Sequence, residues 1–205
     1  MLHVLQHPLA AHVITHLRDK TTKPATFRTL CSQLTLLLAI EATRDLPTEE
    51  KTIETPLERV TGRVLSHQSL VVVPILRAGL GMVQPFLDLF PDVSVGYIGL
   101  ERDHETAIAR SYYCKLPPVA GRRVILVDPM LATGGSAVQA INVVQAQGAT
   151  DIVLVSIVSA PEGVSEVAKH HPMVSVHTAA LDRALNSRKY ILPGLGDFGD
   201  RLYGT

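Results

Sequence analysis

The amino-acid sequence predicts an α/β fold, a mostly parallel twisted sheet flanked by helices. Short β-branched runs recur after the first third of the chain, and Val71-Val72-Val73-Pro74-Ile75-Leu76 is apolar throughout, as a strand covered on both faces should be. Between two such runs lies a glycine-containing turn followed by a helical pattern, which makes a strand–helix–strand crossover and hence a parallel pair. With 205 residues and 46% hydrophobic content, the chain suits one domain over 1–205 that needs no disulfide or metal to hold its core.

The elements follow in order. The opening MLHVLQHPLAAHVITHLRDK has no basic leader, and a Pro and four His interrupt its apolar part, so it does not read as a signal peptide. Phe27, Leu30, Leu34, Leu37, Leu38 and Glu41 fall at helical steps and predict an N-terminal helix with one apolar stripe. Pro47, Pro56 and the polar run Thr48–Lys51 predict a loop. Strands are expected at Val71–Leu76, Val93–Leu100, Val124–Val127, Ile152–Val158 and Val174–His177. The turn Asp128–Gly135 leads into a helix over Ser136–Gln147, which places Ala137, Ala140, Ile141 and Val144 on one face and stops at Gly148. The longest strongly apolar stretch, Leu34–Ile40, is far shorter than the ~20 residues that span a bilayer. A cytoplasmic protein without a membrane partner is the expectation.

Nineteen Lys and Arg balance nineteen Asp and Glu, whereas a nucleic-acid binder usually carries a basic surplus; no nucleic-acid partner is expected. Cys31 and Cys114, the only cysteines, are far apart and read as reduced thiols. His3/His7 and His12/His16 have a spacing that can bind zinc on a helix, but no H-E-x-x-H accompanies them. Surface or structural roles suit them better, as for His67, His170 and His171. Asp88, Asp151 and Asp182 show no partner spacing that suggests acid–base chemistry.

Ligands of open parallel sheets sit beyond the carboxyl ends of the strands. The segment there is Asp128-Pro129-Met130-Leu131-Ala132-Thr133-Gly134-Gly135-Ser136. Its glycines would let backbone N–H groups approach a phosphate, Thr133 and Ser136 add hydroxyls, and the following helix start attracts anions. Asp128 could accept from sugar hydroxyls or hold a divalent metal. On spacing alone, a tight Gly-Gly turn with Ser capping a helix reads equally well. Neither G-x-x-x-x-G-K-[ST] nor G-x-G-x-x-G is present here.

An apolar strand ending in an acidic residue and followed by Ala-Thr-Gly-Gly-Ser resembles the phosphoribosyl-diphosphate (PRPP) loop of type I phosphoribosyltransferases. DPMLATGGS is similar to the version carried by the uracil phosphoribosyltransferase family. Pro74–Leu80, Gly96–Leu100 with Arg102-Asp103, Tyr112–Pro117, Ala160–Gly163, Tyr190–Arg201 and the early His7-Pro8-Leu9 and Arg18-Asp19-Lys20 agree in register, so the similarity covers nearly the whole chain.

The resemblance implies a type I phosphoribosyltransferase fold with N-terminal helices and a flexible hood. It implies Mg²⁺ held mainly by PRPP, with Asp197 as a further ligand. Asp128–Ser136 would hold the ribose 5-phosphate, and Arg77 and Arg102 would meet the diphosphate. Asp128, Arg77 and Arg102 would serve catalysis. Ile191, Gly196, Asp197 and Phe198, in a loop with Gly194, Gly196 and Gly199, would read uracil through the main chain, and Asp197 would also approach PRPP. A GTP effector and a homodimer or homotetramer are further implications. Phe198 stands where the family pattern has Ala, Glu101 where it has Tyr, and Thr106–Arg110 is unlike the usual hood. Three other readings stay open: a different acceptor base, an RNA-binding regulator on the same fold, and an inactive nucleotide sensor.

Overall fold

The computed structural model describes residues 1–66, 70–102 and 109–205. In chain order the elements are β1 (Leu2–Val4), α1 (Pro8–Arg18), α2 (Pro24–Ala42), β2 (Thr48–Glu54), β3 (Arg59–Leu65) and β4 (Leu70–Leu76). A 3₁₀ turn (Ala78–Met82) leads to α3 (Val83–Leu89), β5 (Ser94–Val95), β6 (Tyr97–Arg102), β7 (Ala109–Lys115), β8 (Arg123–Val127) and β9 (Met130–Leu131). There follow α4 (Gly135–Ala146), β10 (Asp151–Ser159), α5 (Pro161–His170), β11 (Ser175–Leu181), β12 (Ala184–Leu185), β13 (Ile191–Leu192) and α6 (Phe198–Tyr203).

The main sheet has the order β1-β11-β10-β8-β4-β6-β7, with β5 and β9 paired to β4 and β10. Its pairs are parallel except for β7, which returns antiparallel along β6. Alternate residues of each central strand feed different cores. Val72, Ile125, Val127, Val153 and Val155 pack with α1 and α2, whereas Val71, Val73, Val124, Leu126 and Leu154 pack with α4. This two-faced burial is why the strands carry apolar runs rather than alternating patterns.

The expected α2 forms, but its buried stripe is rotated. Phe27, Cys31, Leu34, Thr35, Leu38, Ala39 and Ala42 face the core, while Leu30 and Leu37 sit at its margin. The α4 expectation holds, with Ala137, Ala140, Ile141 and Val144 buried and Gly148 left-handed at φ +92°. Two expectations are corrected. The loop expected around Thr48–Lys51 is instead a hairpin, β2 against β3, in which Thr52 faces Thr61 and Ile53 faces Val60. Its charged residues lie on solvent-exposed strands, so they signal exposure, not disorder of the backbone. The single strand expected over Val93–Leu100 is two short ones separated by Gly96, whose N–H donates to Val72 O (2.9 Å). A Cβ there would lie 2.6 Å from the Leu116 side chain.

Among the described residues, no helix is long and apolar enough to cross a membrane. Burial pushes the Cys31 thiol up to about 12, while Cys114 is exposed; both are free thiols.

Candidate active site

β8 ends at Val127, and the residues that follow, from Asp128 on, are stitched to β10. The Asp128 N–H donates to Val155 O (3.1 Å), Pro129 O accepts from the Ile157 and Val158 N–H groups (3.0 Å each), and the Ala160 N–H reaches Leu131 O (2.8 Å). Leu131 is buried, so only its main chain is available to a ligand. The chain then turns at Gly134, with φ +85°, into α4. A Cβ on Gly134 would lie 2.8 Å from Gly163 O, and one on Gly163 would lie 2.6 Å from Ala132 O. These two glycines let α5 lie directly on the loop backbone. Gly163 was visible in the sequence within Ala160–Gly163, but the contact that requires it links distant segments.

The opposite side of the loop is open: a Cβ on Gly135 would meet only Thr133 Oγ1, at 3.9 Å. Asp128, Thr133, Gly134, Ser136 and Ala137 line a cleft of about 90 Å³ there. The first N–H groups of α4 have no partner within the helix, which suits an anion. Asp128 is half-buried, and burial pushes its carboxyl up from 3.8 to about 7, against the pull of the Met130 N–H.

The turn after β4 lies beside this loop because β4 and β8 are neighbours, with Pro74 opposite Val127. A Cβ on Gly79 would lie 2.4 Å from Val127 O, so glycine is what allows the turn to abut the end of β8. Arg77 opens the turn, is exposed, and follows a cis Leu76–Arg77 peptide bond. Its guanidinium has no ion-pair partner among the described residues. Arg102 ends β6, the next strand over, with its backbone opposite Ala109. The side chains of Arg102 and Glu101, and most of Thr106–Arg110, lie outside the described residues, as does His67.

The C-terminal loop approaches the same end of the sheet, since Asp182 at the end of β11 donates its N–H to Ser159 O at the end of β10 (2.8 Å). Ile191 is buried, Gly196 and Asp197 are exposed, and Gly194 and Gly196 are left-handed at φ +60° and +85°. Phe198 is 2% exposed, its ring edge-on to Phe27 at 5.2 Å. The departure from Ala at this position therefore adds a core contact between α2 and α6 and leaves the main chain for a ligand. The Asp197 carboxylate accepts from the Asp200 N–H (3.1 Å) and caps α6 with one oxygen.

The histidine pairs separate. His3 lies in β1 and stacks on His177 (4.5 Å), His7 caps α1 through Nδ1, and only His12 and His16 share a helix. Among the described residues no three His, Cys, Asp or Glu side chains form a metal cluster. Asp151 and Asp182, which showed no partner spacing, are both ion-paired, to Arg123 and Arg18. The Arg18–Asp182 pair spans 164 residues of chain, beyond the reach of any local pattern.

A mostly parallel sheet flanked by helices, with an open glycine turn at the tip of one strand and an exposed arginine turn at the tip of its neighbour, is the architecture of the type I phosphoribosyltransferases. A hypoxanthine-guanine phosphoribosyltransferase structure from Bacillus anthracis shares this fold, with TM-score 0.53 and 10% identity over 78% of this chain and 80% of that one. A structure of the AQ2163 protein from Aquifex aeolicus is much closer: TM-score 0.95 and 35% identity over 100% and 99% of the two chains. A family model described as Uracil phosphoribosyltransferase matches residues 4–205. Similar proteins carrying that name include one from Dictyoglomus thermophilum, 52% identical over 100% of both chains, and one from Bacillus licheniformis, 51% identical over 100% of this chain and 98% of that one. The chain belongs to the uracil phosphoribosyltransferase family.

Proposed function

We propose that residues 1–205 act as one phosphoribosyltransferase domain in which the cleft at Asp128–Ser136 holds PRPP beside the Ile191–Phe198 loop. The reaction is that of the family: PRPP and uracil give UMP and diphosphate. The observation that carries the reading is the open, glycine-lined cleft at the start of α4, with Asp128 on its rim and the Arg77 turn against the neighbouring strand end.

The barrier lies in breaking the ribose C1–O bond as positive charge develops on the sugar. In this reading the N–H groups of Thr133–Ala137, with the Thr133 and Ser136 hydroxyls, bind the 5′-phosphate. Pro129, Met130, Leu131 and Ala132 contribute backbone surface. Asp128 accepts from the ribose hydroxyls and so aligns C1. Arg77 and Arg102 receive the charge gathering on the diphosphate; their planar forks suit phosphate oxygens and stay charged at any working pH. Ile191, Gly196, Asp197 and Phe198 present main-chain groups to uracil, whose carbonyls and N3–H form a pattern that a backbone edge can match. A closed hood would keep water from C1.

Mg²⁺ fits the donors present. Such ions are held by one or two carboxylates and substrate phosphates, and Asp128 and the free oxygen of Asp197 are two carboxylates available for that role. When bound with PRPP it supplies neutralisation of the leaving diphosphate. A cytoplasmic location and a GTP effector belong to the same reading through the family resemblance; assays with and without GTP test the latter. A homodimer or homotetramer is supported by the β2–β3 hairpin, which exposes Ile53, Leu57, Val60 and Leu65.

The deciding experiment offers uracil, cytosine, hypoxanthine and orotate in parallel with PRPP and Mg²⁺ and follows products by chromatography. UMP from uracil alone is expected. A different nucleotide would refute the uracil loop while keeping the PRPP cleft, and no product with PRPP still bound would favour a sensor.

A further inference from the structure

The loop assigned to uracil has little regular structure of its own: two residues of β13, a cis Leu192–Pro193 bond, and glycines at 194 and 196. Gly194 sits where a Cβ would lie 2.2 Å from Ile191 O, so the chain doubles back on itself there. Yet both polar groups of Gly194 are held by side chains from elsewhere. Its N–H donates to Asp182 Oδ2 (2.8 Å), and its carbonyl accepts from Arg18 Nη1 (2.7 Å). Arg18 and Asp182 are themselves joined by a two-point fork, Nη1 to Oδ2 (2.8 Å) and Nη2 to Oδ1. The Asp182 side chain is 4% exposed and that of Arg18 24%.

We infer that Arg18 and Asp182 are positioning residues for uracil: together they clamp Gly194 and set the height of the 191–198 main chain above the sheet. Asp182 is fixed to the sheet's carboxyl edge through its own N–H on Ser159 O, and Arg18 is the last residue of α1. Gly194 is therefore suspended between the sheet and the first helix. Arg201 repeats the device one residue on, donating to Leu195 O (2.7 Å) and to Leu17 O at the end of α1, while its guanidinium lies 4.6 Å from the centre of the Phe27 ring. The requirement is physical. A base read by main-chain groups cannot be accommodated by a side-chain rotamer, so an error of a few tenths of an ångström in the backbone goes directly into the hydrogen bonds. A bidentate guanidinium–carboxylate pair has the directional stiffness to prevent it.

This inference rests on the reading that the 191–198 loop binds uracil, and the test separates the two. Arg18→Gln and Asp182→Asn each break the clamp, Arg18→Lys keeps the charge and donors without the planar fork, and Gly196→Ala perturbs the loop outside the clamp. KM for uracil, KM for PRPP, kcat and Tm are measured for each against the parent enzyme. Loss of one such charge-assisted contact should raise KM for uracil about tenfold or more, with KM for PRPP within about twofold, and Arg18→Lys should fall between parent and Arg18→Gln. Should Arg18→Gln fail to fold, the Lys variant carries the comparison. Equal changes in both KM values, or a lowered Tm with both KM values unchanged, would reduce the pair to a stabilising brace and overturn the inference. If Gly196→Ala raises KM for uracil while the clamp variants do not, the loop assignment survives and the clamp fails. If none of the variants moves it, the loop assignment falls and the clamp with it.

Discussion

Asp128 shows how one residue ties the site to the stability of the fold. Burial in the folded chain pushes its carboxyl up from the ordinary 3.8 to about 7. Between those values the native state holds a proton that the unfolded chain has lost, so this contribution to stability is complete below about pH 4 and lost as pH rises to about 7. Asp128→Asn removes the dependence. The variant should gain on the parent across that window and keep its advantage above it, by at most a few kcal/mol at about 1.4 kcal/mol per pH unit. Thermal melts of both proteins between pH 4.5 and 8 measure the gap, and a constant gap would show that the carboxyl is not buried in solution. Arg77 is argued from the opposite property, exposure. An arginine with no ion-pair partner among the described residues, on the strand end beside the cleft proposed for PRPP, has little to stabilise in the free enzyme. Arg77→Ala should lower kcat/KM for PRPP about 100-fold with Tm unchanged. Kinetics like the parent's would remove Arg77 from the site.

Among the elements, the contact of α5 with the loop between β9 and α4 is the one on which the cleft depends. A Cβ at Gly163 would meet two backbone carbonyls, Ala132 O at 2.6 Å and Leu131 O at 2.9 Å, and neither can rotate away. Gly163→Ala should therefore cost about 1–3 kcal/mol and shift the loop, weakening PRPP more than uracil. Calorimetry and initial rates check both parts, and an unchanged KM for PRPP would show that the loop yields without harm to the site. Elements with strong local signals were legible in the sequence: β4, β8, α4 with its Gly148 stop, and β10 all fall within a residue or two of expectation. The β2–β3 hairpin was not. Its strands pack on no core, and cross-strand pairs such as Ile53–Val60 form only between segments that a single-strand pattern cannot relate.

For the molecule as a whole, that hairpin is also the feature least explained by one chain. A two-stranded ribbon is marginal in water by itself, and this one exposes Ile53, Leu57, Val60 and Leu65. If a second copy covers it, Ile53→Lys with Val60→Lys should shift the assembly to a lower mass in light scattering after size exclusion, with the fold intact by circular dichroism. A mass equal to the parent's would move the interface elsewhere.

The sequence by itself determined the fold class and marked Asp128–Ser136 as a candidate anion loop, because both are written in short-range patterns. Apolar runs, a helical period and a glycine turn at a strand tip keep their meaning wherever the rest of the chain goes. Only the tertiary structure decided what stands around that loop. It set Gly163 against Ala132, turned the Phe198 ring into the core beside Phe27, and gave Asp182 its partner in Arg18. Such contacts join residues that are distant in sequence and near only once the sheet has assembled, so no local spacing encodes them.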